Sequence, residues 1–480
     1  MSAGTPGSPA GTAGRQRTPL ADHVADAVAL LAAVRRTERI AVGAGAVGRV
    51  AAADRRAAVD VPGHDNSQMD GYAVALADLD GPTGTPRAPG TPVTLTLAAT
   101  IAAGDPPVDH RPGTAAPIMT GAPIPRGADA VIPVEESERG RFDPAGATGT
   151  LGTPDTATGT PDTVTGAPGP PGTPDTVTGA PARSPATVTL RPAATEAGRY
   201  VRRRGSDTHH GDVILREGQV LTPARLAHLS TCGVGEVEVI APVRTIVLST
   251  GSEVAAPSAG AVLAEGATFD ANGPGLAAAL TAAGADVVHV GTVPDDAQEL
   301  LEALRRLVTE NEAELIVTSG GVSMGAFEVV RHAAQHEGVT LTFTSVAMQP
   351  GGPQGIGTLD LEGSDGLPAA RIPWLAFPGN PVSALLSCEL IARPALGAPA
   401  RTTLRLPVQL ESEETSPKAL AQYRRARVMP SGHVRLVGGA SSHLIGGFAQ
   451  ADALVLVPVG TGHLRDGDVV ETILLPGGER

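Results

Sequence analysis

Between Pro242 and Pro399 the chain alternates short apolar runs with helical patterns, and the apolar runs end in loops of glycine, proline and small polar residues. VRTIVLS (243–249) runs into TGSE. A helical pattern around GPGLAAALTAAG precedes DVVHVGTV and its PDD loop, and DDAQELLEALRRLVTEN precedes ELIVTS and the loop GGVSMG. Strand and helix alternating across short connections predict a parallel, doubly wound sheet. Ligands of such sheets bind outside the carboxyl ends of the strands, so TGSE, PDD, GGVSMG and the later PGNP are expected on one rim.

The flanks read differently. From Leu20, ADHVADAVALLAAVRR places Val24, Val28, Leu30, Leu31 and Val34 near helical spacing, an amphipathic helix expected to end at Arg35 and Arg36. From Ala52 to about Arg141, short apolar runs such as TPVTLTLAAT, AAPIMTGAP and ADAVIPVEE, cut by Gly and Pro, predict a strand-rich module. GTPDTVTGAP at 159–168 recurs letter for letter at 172–181, with a truncated copy starting at Gly152. A repeat without large apolar side chains cannot stack into a core, so residues 144–185 are expected to be a flexible insertion. Strand character returns at ATVTLRP, followed by RYVRRRGSD and a short apolar stretch, RLAHLSTCGVGEVEVI. After Arg401 the runs LRLPVQL, RRARVMP, HVRLV, ALVLVPV and DVVETILL predict a small β barrel or sandwich.

Composition narrows the function. The 480 residues include Gly 60 and Pro 43 but only 2% aromatic side chains, so part of the chain must be loop. Lys+Arg 36 against Asp+Glu 50 gives a net charge of −14, with no basic run interleaved with aromatics, which argues against nucleic acid and against an anionic membrane surface. An anionic ligand then needs local backbone N–H groups, a few basic residues or a metal. Cys232 and Cys388 are too few and too far apart for a disulfide scaffold or a zinc site, and read as core thiols. Residues 1–18 have little to bury and lack the basic start and apolar stretch of a secretory signal, so the protein is expected to be soluble and cytoplasmic, without a membrane span.

Several loops carry candidate chemistry. STGSE follows an apolar strand and exposes backbone N–H groups beside Glu253; SGGVSMG admits a ligand close to its backbone but lacks the lysine of a P-loop. In FPGNPVSALL, Pro378 and Pro381 stiffen the turn, and Asn380 and Ser383 stand at a helix start that favours an anion. Glu253, Asp270, Asp295, Asp296 and Glu328 cluster near the same rim. They would repel an anion unless a Mg²⁺-like cation lies between them or they accept ligand hydrogen bonds; scattered surface acids are the alternative. In the strand-rich module, HDNSQMDGYAV gathers Asp65, Asn66, Ser67 and Asp70, Thr120 sits in a Gly/Pro-bounded loop, and RRRGSDTHHGD sets three arginines beside Asp207, His209 and His210. Adjacent histidines normally point different ways, so zinc is disfavoured.

Taken together, DNSQMDGYAV, IMTGAPIPRGADAVI, RRRGSD, VLSTGSE, PDD, TSGGVSMG and FPGNPVSALL occur in the order and spacing of the molybdopterin molybdenumtransferases, the family of bacterial MoeA and the gephyrin E domain. The chain resembles this family from about Leu20 to its C-terminus, leader and repeat excluded. The resemblance implies a multidomain α/β plus β fold: a discontinuous domain (19–60 and 205–242), an inserted β-rich domain (61–204), an α/β molybdopterin-binding domain (243–400) and a C-terminal β barrel (401–480). It implies molybdate insertion into adenylylated molybdopterin with Mg²⁺-dependent release of AMP, in a homodimer whose sites are composite, fed by a molybdopterin adenylyltransferase. Carried over, Asp65, Thr120 and Asp207 match functional positions contributed across the dimer. Glu253, Asp295 and Glu328 match acids of the α/β domain and possible metal ligands. Ser249, Thr250 and Gly251, then Ser319, Gly320, Gly321 and Ser323, match pterin or nucleotide loops, with Arg331, Pro350, Pro353, Pro378, Asn380, Pro381 and Ser383 as further binding positions.

The chain departs from the family pattern in two places. Glu328 and Arg331 stand where an Asp and a Lys are usual, and Arg for Lys is not neutral at a point-charge phosphate contact. The family's PGKP turn reads Pro350, Gly351, Gly352, Pro353, so Gly352 replaces a lysine, and Gln349 stands where a further basic residue is usual. The competing readings are a non-catalytic paralogue that binds molybdopterin or acts as a dimeric scaffold, and a molybdopterin-adenylylating enzyme. The DNSQMDGYAV and MTGAP segments count against the latter, since a lone adenylylating domain has no need of them.

Overall fold

The computed structural model describes residues 17–81, 84–142, 186–258, 262–323, 328–361 and 370–476. The repeat insertion and nearly all of the leader lie outside the described residues. The chain forms two compact units, one of Met1–Arg55, Leu215–Ala227 and Gly235–Arg480, the other of Arg56–Ile214 and His228–Val234.

At the heart of the first unit is a six-stranded sheet ordered Asp286–Val293, Arg244–Thr250, Leu315–Ser319, Ala370–Phe377, Pro353–Leu361 and Val339–Ser345. Its side chains alternate between faces, as the pleat requires. Val247, Val317, Leu375 and Phe377 pack on one side with Leu276, Leu280 and Ile391. Ile246, Leu248, Ile316 and Trp374 pack on the other with Leu300, Leu304 and Val330. Helices thus cover both faces, but the expectation of an all-parallel sheet needs correction. The first four strands are parallel, whereas Pro353–Leu361 pairs antiparallel with both its neighbours. Only residues 362–369 separate Leu361 from Ala370, too few for the dozen or so that a parallel crossover needs.

The helix read near the N-terminus is present as Leu20–Leu31, with Ala27 and Leu31 in the same apolar core as Val247 and Leu276. It stops short of Arg35 and Arg36. By Arg36 the chain is already entering the strand Thr37–Ala41, which pairs with Glu236–Ile240, and the Arg36 guanidinium is held by Glu314. RLAHLSTC, part of an undifferentiated apolar stretch in the sequence, falls in and just after a helix, Pro223–Thr231.

Strands Thr403–Gln409, Ala421–Val428, Val434–Leu436, Ala453–Val457 and Val469–Leu474 close into a barrel, because Ala421–Val428 pairs with both Val434–Leu436 and Ala453–Val457. The short strand Met348–Gln349 adds to it alongside Ala421 and Gln422. Residues 350–353 therefore link the barrel to the α/β sheet.

In the second unit, a five-stranded sheet runs Ala130–Pro133, Gly71–Val74, Thr114–Ile118, Val93–Leu97 and Thr187–Leu190. Tyr72, Val74, Ile132 and Leu190 fill one side of it, and Ala73, Ile118 and Val131 the other. Both cysteines are buried, and burial pushes the Cys388 thiol up to about 12, which keeps it protonated and inert. No helix among the described residues is long and apolar enough to cross a membrane.

Candidate functional site

A cavity of about 1170 Å³ opens at the carboxyl ends of the four parallel strands. The four loops expected on one rim all reach it: Ser249, Thr250, Gly251 and Glu253, Asp295, residues 320–323 and residues 378–381 line its wall.

Backbone conformation fixes part of that wall. Gly320 and Gly321 have φ of +104° and +64°. A Cβ on Gly320 would lie 2.5 Å from Thr250 Oγ1, and one on Gly321 would lie 2.8 Å from the Val330 amide nitrogen. Only glycine lets the loop turn this tightly against its neighbours.

Most polar side chains at the rim fasten one loop to the next. Ser249 Oγ donates to Asp270 Oδ1 at 2.8 Å, and the same oxygen accepts from the amides of Asn272 (2.9 Å) and Gly273 (3.0 Å), capping the helix Asn272–Ala282. Thr250 Oγ1 donates to Ser319 O at 3.3 Å, and Ser319 Oγ to Pro378 O at 3.1 Å. Asp295 and Ser252 exchange hydrogen bonds at 3.1 Å in each direction. Asp296, counted with the rim acids in the sequence, instead caps the helix Ala297–Asn311 by accepting from the Gln298 and Glu299 amides. Glu328 Oε2 accepts from Ser323 N at 2.8 Å and so braces the glycine loop. Glu253 is exposed at the cavity.

Pro350, Pro353, Pro378, Pro381 and Ser383 line the cavity, and Asn380 begins the helix Pro381–Ser387 without capping it through its side chain. Arg331 is a correction: it is absent from the wall. Its Nε donates to Val322 O at 3.0 Å, and its guanidinium lies 4.3 Å from the Phe343 ring centroid, a cation–π contact that turns it toward the sheet.

Two contributions were missed in the sequence, Asn272 and a segment from the barrel region. Asn272 lines the cavity, donates through Nδ2 to Gly379 O at 2.7 Å, and leaves Oδ1 buried without a hydrogen-bond partner. Its place two residues after Asp270, at a strand-to-helix turn, was the available signal. Gln349, noted in the sequence where a basic residue is usual, lines the wall beside the 350–353 turn. Ser441, Ser442 and His443, from the barrel region, also line it, and Ser441 Oγ lies 2.8 Å from His443 Nδ1. No local pattern marks these last three, because only the tertiary packing brings the barrel to this rim.

Asp65, Thr120 and Asp207 belong to the second unit, where three segments meet. Asn66 and Ser67 pair with Arg202 and Val201, Ser67 N donates to Ala122 O, and Ile124 N donates to Asp65 O. Asp65 accepts from Arg203 (2.6 Å) and from the Arg204 amide (2.8 Å). Burial by itself would raise its carboxyl, but that amide and guanidinium outweigh it and hold Asp65 below the usual carboxylate range. Thr120 is fixed through both its amide and its hydroxyl by Asp70 Oδ1, at 2.7 and 2.9 Å. Asp207 is exposed.

Known proteins agree with this architecture. The MoeA N-terminal region model (domains I and II) matches residues 18–233, a probable molybdopterin binding domain matches 246–398, and the MoeA C-terminal region (domain IV) matches 407–475. The molybdopterin molybdenumtransferase 2 of Mycobacterium tuberculosis is 36% identical over 424 residues, spanning 86% of this chain and 89% of that protein. The molybdopterin molybdenumtransferase of Synechococcus elongatus is 29% identical over 427 residues, spanning 88% and 91%. A crystal structure of a molybdopterin biosynthesis MoeA protein from Pyrococcus horikoshii shares the fold with a TM-score of 0.68 at 21% identity, covering 96% of this chain and all of that one. With three family domains in order along most of its length and a relative above 30% identity, the chain belongs to the molybdopterin molybdenumtransferase family.

Proposed function

We propose that the protein inserts molybdate into adenylylated molybdopterin, releasing AMP, as the last step of molybdenum cofactor assembly. The observation that carries this reading is the rim cavity itself. Glycine loops bring main-chain amides to its wall, and Asn272 Oδ1 is a buried acceptor without a donor, the arrangement that a ligand with N–H edges and phosphate oxygens would complete. In this reading the amides of Gly321, Val322, Gly379 and Asn380 hold ligand oxygens, while Glu253 and Asp295 are the described wall carboxylates not committed to a helix start or to the glycine loop.

The resemblance calls for Mg²⁺. No group of three or more His, Cys, Asp or Glu among the described residues is arranged to hold a metal alone. Mg²⁺ usually keeps several waters and takes one or two carboxylates plus substrate phosphates, so Glu253 and Asp295 suit it when the nucleotide is present. Held there, it would supply charge neutralisation at the phosphoanhydride. Glu328 is engaged by Ser323, and we assign it to positioning that loop.

The reading further takes the protein to be a cytoplasmic homodimer supplied by a molybdopterin adenylyltransferase, with Asp65, Thr120 and Asp207 of one subunit completing the cavity of the other. Incubating the protein with adenylylated molybdopterin, Mg²⁺ and molybdate tests the chemistry. AMP and mature cofactor should appear together and depend on molybdate; a bound pterin without AMP release would identify a scaffold instead.

A further inference from the structure

A pterin nucleotide brings phosphate groups, yet the cavity wall supplies little positive charge to meet them. Its lining includes Glu253, Asp270, Asp295 and Glu328 and no described lysine or arginine. One arginine approaches from elsewhere in the chain. Thr18 N donates to Ser345 O at 3.0 Å and Ala347 N donates to Thr18 O at 2.8 Å, so the N-terminal segment is fixed beside Val346. Val346 N in turn donates to Gly352 O at 2.7 Å. This pairing brings Arg17 Nη1 to 3.4 Å from the point where a Cβ on Gly352 would lie. The backbone at Gly352 is outside the left-handed region, so the conformation does not demand glycine there. Of the three described atoms nearest that point, one belongs to a side chain, that of Arg17; the other two are the Val346 and Met348 carbonyl oxygens. Arg17 and a side chain at position 352 therefore compete for one volume, next to a turn whose other members, Pro350, Gly351 and Pro353, line the cavity. Arg17 is exposed, and among the described residues its guanidinium has no carboxylate partner, so its charge is not already neutralised.

We propose that Arg17 is the anion-binding cation of this cavity, brought by the N-terminal segment into the space left by the absent side chain of Gly352. A guanidinium on a long stem reaches the ligand-facing side of the turn by a change of rotamer and offers a phosphate two parallel N–H donors. The inference rests on the proposed function only in requiring an anionic ligand.

Calorimetric titration of the full chain with AMP and, separately, with molybdate tests it. Arg17→Ala should weaken binding of at least one of these anions by roughly ten- to a hundredfold, the scale of a lost charge-assisted hydrogen bond. Arg17→Gln, which keeps a polar stem without charge, should remain weak. Arg17→Ala combined with Gly352→Lys should regain most of the loss, because a lysine from position 352 enters the vacated volume. Wild-type affinity in Arg17→Ala or Arg17→Gln overturns the proposal. So does a double variant as weak as Arg17→Ala, which would reduce Arg17 to a role in the Thr18 pairing, and so does a wild-type chain that binds neither anion. The two readings separate cleanly: anion binding that depends on Arg17 without AMP release from adenylylated molybdopterin removes the transferase reading and leaves Arg17 in place. AMP release with normal anion binding in Arg17→Ala does the reverse.

Discussion

At the rim of the α/β sheet, Ser249, Thr250, Ser319 and Asp270 are buried and use their hydrogen bonds to tie loop to loop, whereas around Asp65 the acids and arginines are paired but largely open to water. Buried bonds of the first kind are costly to break, since a stranded partner has no water to turn to. Exposed pairs of the second kind are screened and contribute little to stability. The rim is thus built as a fixed mould, while the Asp65 cluster holds charge in place and leaves it accessible. Substitutions should therefore differ in kind: at the buried hydrogen bonds of the rim they should damage folding and function together, and at exposed side chains, whether Glu253 of the rim or Asp65 of the cluster, function alone.

The sharpest test of that contrast uses Glu253→Ala and Asp65→Ala. Each should abolish AMP release while the melting temperature stays near wild type, because both side chains are substantially exposed. Mixing the two inactive variants after dissociation and reassociation should restore about a quarter of wild-type activity if a twofold dimer pairs the units of different subunits, since half the dimers would then carry one intact site. No recovery at all would place the residues of each site within one chain.

Next in size is Gly320→Ala. The positive φ and the contact with Thr250 predict a loss of AMP release of about a hundredfold together with a destabilisation of about 2 kcal/mol or more, read by turnover and denaturant unfolding. Asp270→Ala removes an acceptor of three hydrogen bonds from a buried site and should cost about 2–4 kcal/mol. A mild effect at either position would mean that the rim is less rigid than its bonding indicates.

The second unit also has sheltered pairs to set against its exposed ones, Arg199 with Glu136 among them. Arg199 holds Glu136 through both carboxylate oxygens, at 2.8 and 2.6 Å, and this pairing keeps Glu136 below its usual value of 4.5. A depressed folded pKa contributes stability above the unfolded value and loses it as pH falls through the folded one. Glu136→Gln should therefore cost about 1–3 kcal/mol at neutral pH, with the difference from wild type vanishing in acid, as followed by unfolding at several pH values. Smallest of all, Arg203→Ala should change stability by under about 1 kcal/mol, while altering turnover through Asp65.

Much of the fold could be read from the sequence because its elements follow local rules. Continuous apolar runs in VRTIVLS and ELIVTS predict strands buried on both faces, and Val247 and Ile246 do pack on opposite faces of the sheet. Paired glycines after a strand predict a tight loop, and Gly320 and Gly321 form one. The antiparallel half of the sheet was not legible, since PQGIGTLDL and ARIPWLAF look the same whichever way they pair and only the shortness of residues 362–369 decides it. Within the candidate site, Glu253 and Asp295 were found because they sit on strand-end loops. Asp270, Asp296 and Glu328 resemble them by the same criterion, but their hydrogen bonds commit them to caps and loop bracing. Arg331 looked like a ligand contact by position along the chain, but Phe343, twelve residues on and in an adjoining strand, draws it away.

By itself the sequence determined the alternation of strand and helix, the glycine turns, the buried thiols and the family to which the chain belongs, all of which depend on neighbours a few residues apart or on motifs in order. Tertiary structure alone decided which polar groups remain available to a ligand: Asn272 with an unused acceptor, Ser441 to His443 brought in from the barrel region, Arg17 set against Gly352. A hydrogen bond is satisfied by whatever atom lies within reach, and reach across hundreds of residues is fixed only when the chain has packed.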